Sequence, residues 1–224
     1  AIGDVDQDGV EDLIVTNPGS FERPSQAYLL FLRQDGSVRE FRTYEVSTES
    51  SFGWSSAGIG DLDGNGVPDF AVGSISDAGN LGQSITIYFL DSDGNVVQEQ
   101  LISDDTGTPS NFGLNNLDLF GGSVSSLGDV DGDGISDLIV GAAGDDEQGS
   151  NRGAVYILFM RTDGTVRDFQ KISDFDGTPP SFSLEDDSNF GASVTGIGDL
   201  DLDGVPDAVV GADEADAGGR ERGE

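Results

Sequence analysis

Short apolar runs recur along the chain, and each is bounded by glycine or polar residues. They are rich in β-branched and aromatic residues and are too short for buried helices, so they predict buried strands. In each unit one run follows an aspartate-rich segment, and a second run follows a polar loop. The first runs are residues 13–15, 70–72, 138–140 and 208–210, and the second runs are residues 27–32, 85–90 and 154–160.

A third, more polar strand is expected after each second run. Its residues alternate between polar and apolar types, which is typical of an exposed sheet edge. An Asp-Gly pair stands between the second and third strands, and this dipeptide is a strong hairpin signal. The third strands are predicted at residues 38–46, 95–102 and 165–172, after Asp35-Gly36, Asp93-Gly94 and Asp163-Gly164.

A Phe-Gly pair opens each following unit and precedes a fourth strand, such as residues 193–197. The units recur every 57 to 70 residues, and no helical periodicity interrupts them. Four antiparallel strands per repeat predict an all-β fold, a single β-propeller segment over residues 1–224 with four-stranded antiparallel blades. The Phe-Gly pairs are Phe52-Gly53, Phe120-Gly121 and Phe190-Gly191.

The segment DVDGDGISD, residues 129–137, has aspartates at positions 1, 3, 5 and 9 and a glycine at position 6. Carboxylates a few ångströms apart repel each other by about 1 kcal/mol per pair even in water, so the loop requires a positive charge. Oxygen ligands without His or Cys select a hard cation. Alternate-residue spacing with a glycine at the turn is how a short loop wraps Ca²⁺.

An EF-hand loop would have a glutamate at position 12 and helices on both sides. Position 12 is Val140, which lies inside a predicted strand. Asp137 must then close the site, and the main-chain carbonyl of Ile135 at position 7 is a further candidate ligand. The unit is therefore predicted to be a strand, a calcium loop and a second strand.

Three other segments repeat this loop, so up to four Ca²⁺ ions are expected. Acidic loop 2 has Asn65 at position 5 and therefore one charge fewer, so we expect it to bind most weakly. The candidate ligands are Asp4, Asp6, Asp8, Val10 and Asp12 in acidic loop 1; Asp61, Asp63, Asn65, Val67 and Asp69 in acidic loop 2; Asp129, Asp131, Asp133, Ile135 and Asp137 in acidic loop 3; and Asp199, Asp201, Asp203, Val205 and Asp207 in acidic loop 4.

The motifs GDLDLDGVPDAVVGA at residues 198–212 and GAVYILF at residues 153–159, with the Phe-Gly pairs, resemble the FG-GAP repeats of the integrin α-subunit β-propeller and its bacterial secreted relatives. The resemblance covers nearly the whole chain. It implies that each acidic loop joins the first two strands of a blade and binds Ca²⁺.

The integrin propeller has seven blades, whereas this chain accounts for about three and a half. We therefore expect a fragment of a larger protein, with the remaining blades of the ring supplied by the same or another chain. The alternative is that the terminal strands complete one shared blade, which would leave a ring of only about three or four blades.

The chain carries 43 acidic and 10 basic residues, for a net charge of −33. This charge argues against nucleic acid or an anionic membrane as a partner, and no apolar stretch predicts membrane insertion. The acidity, together with a single lysine, fits a marine or halophilic bacterial source. Histidine and cysteine are absent, which excludes imidazole catalysis, thiolate metal sites and disulfides within this segment.

Connections in an antiparallel blade alternate between its two faces, so the acidic loops and Asp-Gly turns should share one face. The longer loops, residues 74–84, 104–119, 142–152, 174–189 and 212–222, then lie on the other, where a partner would bind. Two alternatives carry equal weight: these loops bind the partner, or they are solvated spacers with the phenylalanines tucked beneath them. The candidate contact residues are Asp145, Asp146, Glu147, Arg152, Phe112, Phe175 and Phe182.

Two further features have competing interpretations. Trp54 is expected in the core between blades in preference to a sugar-stacking platform. Asp186 and Asp187 could form a glycosidase pair, but adjacent acids are common in so acidic a chain, and this interpretation is disfavoured.

The function expected from the sequence is a calcium-binding propeller with structural calcium, acting as an extracellular, secreted or cell-surface adhesion module for a protein or glycan ligand. Millimolar calcium outside cells supports that location. The chain itself is not expected to be an enzyme. The alternatives are an accessory propeller of a secreted hydrolase or lyase whose catalytic domain lies outside this chain, and an architectural spacer in a surface protein.

Overall fold

The computed structural model describes residues 1–19, 24–45, 52–75, 83–115, 117–147, 149–179 and 181–213. These residues form β-strands and no helix. The strands are β1 (Leu13–Asn17), β2 (Gln26–Leu32), β3 (Val38–Glu45), β4 (Phe52–Gly60), β5 (Asp69–Ile75), β6 (Gln83–Leu90), β7 (Val96–Ile102), β8 (Ser123–Gly128), β9 (Asp137–Ala142), β10 (Ala154–Met160), β11 (Val166–Ile172), β12 (Phe190–Gly198) and β13 (Asp207–Ala212).

The strands form four separate antiparallel sheets in which chain neighbours are also sheet neighbours. Blade 1 contains β1–β3, blade 2 contains β4–β7, blade 3 contains β8–β11, and blade 4 contains β12–β13. The first strands β4, β8 and β12 pack side by side, so the blades follow one another in chain order as an open arc. This arrangement confirms the predicted all-β propeller with four-stranded antiparallel blades.

The strands predicted from the apolar runs are present, with small differences at their ends. The strand predicted at residues 193–197 begins three residues earlier, at Phe190. A register shift between Phe190 and Ser193 keeps the Phe-Gly pair in the strand, as a β-bulge does. The predicted end of the first unit's third strand, Val46, lies outside the described residues.

The close approach between blades explains the Phe-Gly pair. A Cβ atom on Gly141 in β9 would lie 1.9 Å from the carbonyl oxygen of Gly191, so only glycine fits there. The hydroxyl of Ser123 donates a hydrogen bond to the same carbonyl at 2.8 Å, and Ser55 repeats this bond to Gly121. Each Phe-Gly pair therefore places its main chain against the preceding blade.

An aromatic cluster fills the core between blades 2 and 3. Phe112 is 4% exposed and lies 4.9 Å from Phe169 and 5.4 Å from Tyr156, measured between ring centroids. The interpretation of Phe112 as an exposed contact residue is therefore wrong, because the segment between blades folds over its own phenylalanine.

Trp54 is 58% exposed, so its expected place in the core between blades is also wrong. It follows Phe52-Gly53 in β4, where a register shift between Phe52 and Ser55 interrupts the alternation of the strand, so the indole does not share the buried side of Phe52. In the part of the chain that is described, no helix is long and apolar enough to cross a membrane.

Blade 4 exposes apolar side chains whose counterparts in blade 2 are buried. Leu200 is 74% exposed, whereas Leu62 at the same repeat position is 2% exposed. Val209 is 52% exposed, whereas Ala71 at its equivalent position is fully buried. The outer face of the β12–β13 sheet therefore has the composition of a surface that packs against another blade.

Candidate metal centres

The acidic loops lie between the first and second strands of the blades. Loops 2, 3 and 4 connect β4 to β5, β8 to β9 and β12 to β13, and loop 1 precedes β1. The Asp-Gly turns lie beside them, since Leu90 at the end of β6 donates its main-chain N–H to Asp69 at 3.0 Å. The structure thus places acidic loops and hairpin turns on one face, as predicted.

The aspartate at position 1 organises the loop around itself. In loop 3, Asp129 Oδ1 accepts main-chain hydrogen bonds from Gly132 at 2.7 Å and Asp133 at 3.0 Å, and Oδ2 accepts one from Gly134 at 2.8 Å. Gly134 has a φ of +87°, a left-handed conformation that glycine adopts without strain. Gly9, Gly66 and Gly204 occupy the same position at φ values of +88°, +88° and +92°.

The aspartates at positions 3 and 5 each use one oxygen for the loop. Asp131 Oδ1 accepts the N–H of Asp133 at 3.2 Å, and Asp133 Oδ1 accepts the N–H of Ile135 at 2.9 Å. These bonds to the second residue on are Asx turns. The loop's own main chain, as far as it is described, donates nothing to either Oδ2 atom, so these two oxygens can pair with a positive charge from outside the loop.

The aspartate at position 9 is buried and links two elements. Asp137 is fully buried, and it accepts the N–H of Val130 at 2.9 Å and the N–H of Met160 at 3.0 Å. Asp69 makes the equivalent pair of bonds to Leu62 and Leu90. The position-9 carboxylate therefore links the start of its loop to the strand end that precedes the Asp-Gly turn, which is the end of β10 in blade 3 and of β6 in blade 2.

Burial raises the pKa of these position-9 carboxyl groups, and the main-chain donors oppose the shift. Asp69 is raised to a pKa of about 6, with burial as the largest cause and the N–H groups of Leu90 and Leu62 acting against it. The pKa values of Asp12 and Asp137 are raised for the same reasons. A buried carboxylate of this kind gains from a nearby cation, because the cation offsets the cost of desolvation.

The predicted residues come together in each loop, with different members closest. In every loop three carboxylates place one oxygen each within 4.8 Å of the other two. Positions 1, 3 and 5 form this group in loops 1 and 4, and positions 1, 3 and 9 form it in loops 2 and 3. Oxygen-only donors at this separation fit a hard divalent cation, and the main-chain carbonyl at position 7 remains a predicted ligand.

Two arginines contact the acidic loops, and the sequence interpretation did not anticipate them. Arg39 on β3 pairs with Asp6 and Asp8 in loop 1. Arg167 on β11 pairs with Asp131 and, at 2.9 Å, with Asp133 in loop 3. A local signal for both exists, because each arginine is the third residue after the glycine of an Asp-Gly turn.

On the opposite face, several predicted contact residues are committed to internal ion pairs. Asp145 is only 3% exposed, with its carboxylate 2.7 Å from the ammonium of Lys171, so its interpretation as a surface contact is wrong. Arg152 pairs with Asp174 at 2.7 Å and Asp186 at 2.8 Å, which ties two loops together. Glu147, Asp146 and Phe175 remain exposed, while Phe182 is half-buried against Phe190.

A shallow cleft of about 290 Å³ lies beside the exposed indole of Trp54. Polar side chains of Asn189 and Asp213 and apolar ones such as Leu119 line the rest of it. These residues come from the ends of strands and loops away from the acidic loops, so the cleft belongs to the predicted partner face. An aromatic ring together with a few polar groups is typical of small-ligand sites.

Repeated antiparallel blades, four-stranded where complete, with an acidic loop before the second strand of each blade, define a β-propeller. The chain is an FG-GAP repeat protein: the FG-GAP-like repeat family matches residues 4–72, and the FG-GAP repeat family matches residues 120–158. The resemblance inferred from the sequence motifs is thereby confirmed.

Curated relatives include integrin α subunits. The chain is 34% identical over 152 residues to integrin alpha-3 of Cricetulus griseus, covering 65% of this chain and 14% of that protein. It is 33% identical over 150 residues to integrin alpha-7 of Mus musculus, covering 65% and 12%, and 28% identical over 224 residues to integrin alpha-5 of Xenopus laevis, covering 95% and 19%. The chain thus spans less than a fifth of the length of these relatives.

Proposed function

We propose that the four acidic loops bind Ca²⁺ and that the propeller is an extracellular binding module of the adhesion type. The observation that carries the proposal is the convergence of carboxylate oxygens within 4.8 Å in all four loops. Calcium suits them better than magnesium, because Ca²⁺ accepts six to eight oxygens in flexible geometry, whereas Mg²⁺ requires a near-ideal octahedron and keeps several waters.

The role of calcium is structural in this proposal. Each loop is continuous with two strands of its blade, so an ion there neutralises clustered carboxylates and holds both strands. An ion that binds only the folded chain stabilises it by about 2.7 kcal/mol per site at 100 times the dissociation constant. Millimolar calcium outside cells would keep such sites filled, which supports the extracellular assignment.

The partner is proposed to bind on the face away from the acidic loops. Phe175, at 66% exposed, and Trp54 beside its cleft are large aromatic groups available there. The integrin relatives favour a protein or glycan partner and a non-enzymatic role. Two alternatives are an accessory propeller of a hydrolase or lyase and a surface spacer. A catalytic domain in the full-length gene would favour the first, and its absence would favour the second.

Calorimetric melts with Ca²⁺ and with EGTA test the calcium proposal. EGTA should lower the melting temperature by about 5 °C or more, given roughly 2 to 4 °C per kcal/mol for a chain of this size. The double variant Asp131→Asn with Asp133→Asn should lose one site in a calcium titration, while Asp105→Asn, on an exposed turn, should lose none. An EGTA melt identical to the calcium melt would sink the proposal.

A protein and glycan array, run in millimolar calcium, tests the binding role. Any ligand found should bind Trp54→Ala or Phe175→Ala at least about tenfold more weakly, as for other aromatic anchors. Phe41→Ala is a matched control, because Phe41 on β3 is as exposed as Trp54, at 58%, but lies on a sheet edge. A ligand that binds both variants as tightly as wild type would show that the binding surface lies elsewhere.

A further inference from the structure

Arg39 and Arg167 occupy the oxygens that a cation would use. Both pair with the Oδ2 atoms at positions 3 and 5 of their loops, which are Asp6 and Asp8 in loop 1 and Asp131 and Asp133 in loop 3. The Oδ1 atoms of the same residues accept main-chain hydrogen bonds within the loop. A guanidinium and a cation would therefore compete for the same two oxygens.

Loop 2 lacks both the arginine and the position-5 aspartate of this interaction. Its blade has Val97 at the arginine position, and the loop has Asn65 where the other loops have aspartate. The Asn65 amide nitrogen donates to Asp63 Oδ2 at 3.2 Å and to the Leu90 carbonyl at 2.9 Å. An internal amide donor thus takes the place of the arginine, and among the described residues no arginine or lysine pairs with Asp63.

The charges balance in the same way. At ligand positions 1, 3, 5 and 9, loops 1 and 3 each have four carboxylates and one arginine paired with them, which leaves three negative charges at those positions; Glu11 in loop 1 lies outside them. Loop 2 has three carboxylates without an arginine and reaches the same total. The position-5 residue and the third-strand residue therefore vary together, as expected if the arginine compensates the extra carboxylate.

The arginines are also placed to move. The side chains of Arg39 and Arg167 are 35% and 40% exposed, so each guanidinium can return to water without leaving a buried charge. Their aspartate partners at positions 3 and 5 are between 19% and 30% exposed. Exchange of the arginine for an ion needs only a side-chain rotation.

We propose that Arg39 and Arg167 are internal competitors of the cation, which hold loops 1 and 3 in shape at low calcium and weaken their calcium affinity. This rests on the proposed calcium function of the loops. Charge counting alone predicts that loop 2, with its asparagine, binds calcium most weakly. Competition by arginine acts on loops 1 and 3 and not on loop 2, so it lowers their calcium affinity relative to that of loop 2.

The test is a calorimetric calcium titration of the full chain carrying Arg39→Gln and Arg167→Gln. Two sites should tighten by about threefold to tenfold, the size of a partly exposed ion pair. The same variant should melt at a lower temperature than wild type in EGTA, because its carboxylates repel without compensation. Arg42→Gln is the matched control, since Arg42 lies on the same strand but pairs with Glu40 outside the loop.

Val97→Arg provides the converse experiment. Val97 is 57% exposed on β7, so an arginine can be introduced without disturbing the core. Because loop 2 keeps Asn65, we combine the change with Asn65→Asp to rebuild the arrangement of loops 1 and 3. The double variant should bind calcium at loop 2 more weakly than Asn65→Asp alone, by the same threefold to tenfold factor.

The outcomes separate the two proposals. Unchanged or weaker calcium binding in the Arg39, Arg167 variant, with normal wild-type binding, would overturn the competitor role and leave the calcium function standing. Binding by the variant alone would support the competitor role and show that wild-type arginines block the sites. Absence of calcium binding in both proteins at millimolar calcium would overturn both proposals.

Discussion

The position-9 aspartate is both a candidate metal ligand and a hydrogen-bond acceptor for the main chain, and the sequence motif does not distinguish these two roles. Asp137 is a candidate ligand, but both of its oxygens already accept main-chain N–H groups, one from Val130 at the loop start and one from Met160 in β10. The buried N–H of Met160 and the partly buried N–H of Val130 depend on it, and an unsatisfied buried donor costs roughly 1 to 3 kcal/mol. The residue therefore stabilises the blade with or without an ion.

Replacing Asp137 should destabilise the protein even when calcium is removed. We expect Asp137→Ala to lower the free energy of unfolding by about 2 to 4 kcal/mol in EGTA, because one buried and one partly buried N–H group lose their acceptor. Asp131→Ala is the comparison: its loop bond is exposed, so it should cost less than about 1 kcal/mol in EGTA and more in calcium. Urea unfolding measures both, and equal costs in EGTA would contradict the structural role.

Asp118 is another buried acid, on the face away from the acidic loops. It is 1% exposed, its Oδ2 accepts the N–H of Asn115 at 2.7 Å, and its Oδ1 is buried without a partner among the described residues. Burial raises its pKa to about 6; Asp145 and Asp146 add to the shift, while Asn115 and Lys171 oppose it. The protonated form therefore favours folding.

This raised pKa predicts a stability change with pH. The contribution of Asp118 is complete below its ordinary pKa of 3.8 and is lost as pH rises through about 6. Asp118→Asn keeps the shape without the charge, so it should melt about 2 to 4 °C above wild type at pH 7.5 and close to wild type at pH 4.5. Thermal melts in EGTA across this range check it, and a constant difference would exclude titration of Asp118 as the cause.

At the scale of the element, the blade depends on close contact between main chains. Gly141 in β9 faces the carbonyl oxygen of Gly191 from the next blade, at a distance that leaves no room for a methyl group. A larger residue would separate the two strands and break the Ser123 hydrogen bond to the same carbonyl. The Phe-Gly and Val-Gly pairs of the repeat are thus two sides of one contact between blades.

Gly141→Ala should consequently be among the costly single substitutions in the chain. We expect a loss of about 3 kcal/mol or more in the free energy of unfolding, since overpacking against main chain cannot be relieved by a side-chain rotation. Gly113→Ala is the control, because a Cβ atom there meets nothing within 4 Å. Similar denaturant midpoints for the two variants would refute the close approach.

At the scale of the whole molecule, the outer face of blade 4 exposes apolar side chains. Ile197, Leu200 and Val209 are 42%, 74% and 52% exposed, whereas Ile59, Leu62 and Ala71 at the same repeat positions are buried beneath a neighbouring blade. An exposed apolar face of this kind marks an interaction surface. The proposed occupant is a further blade, from the same or another chain.

Substitution on this face should change association and leave the fold intact. The chain as given should self-associate at micromolar concentrations, and Leu200→Glu with Val209→Glu should shift it towards a monomer in sedimentation velocity, because burying the new charges is unfavourable. Leu62→Glu, at the buried equivalent of Leu200, should unfold blade 2. A double variant that sediments like wild type would argue against blade 4 as the associating surface.

Local chemistry made much of the fold predictable. Strand alternation, Asp-Gly turns and the spacing of aspartates and glycines act between residues close in the chain, so a linear pattern contains them. This is why the strands, the four-stranded blades and the four acidic loops were foreseen. In the segment DVDGDGISD the clustering of carboxylates followed from spacing alone, because each Asx bond spans two residues.

The features that the pattern missed depend on residues distant in the chain. Arg167 pairs with aspartates of loop 3 that lie 34 and 36 positions earlier in the chain. Asp145 is buried in an ion pair with Lys171, although both residues are of charged types that are usually exposed. Trp54 is exposed where the core was expected, and Phe112 takes the buried one of its two expected alternatives, because burial depends on which blade or loop covers a side chain. Spacing set where oxygens gather for a cation, while packing between blades set which oxygens an arginine already holds and which aspartates support the fold.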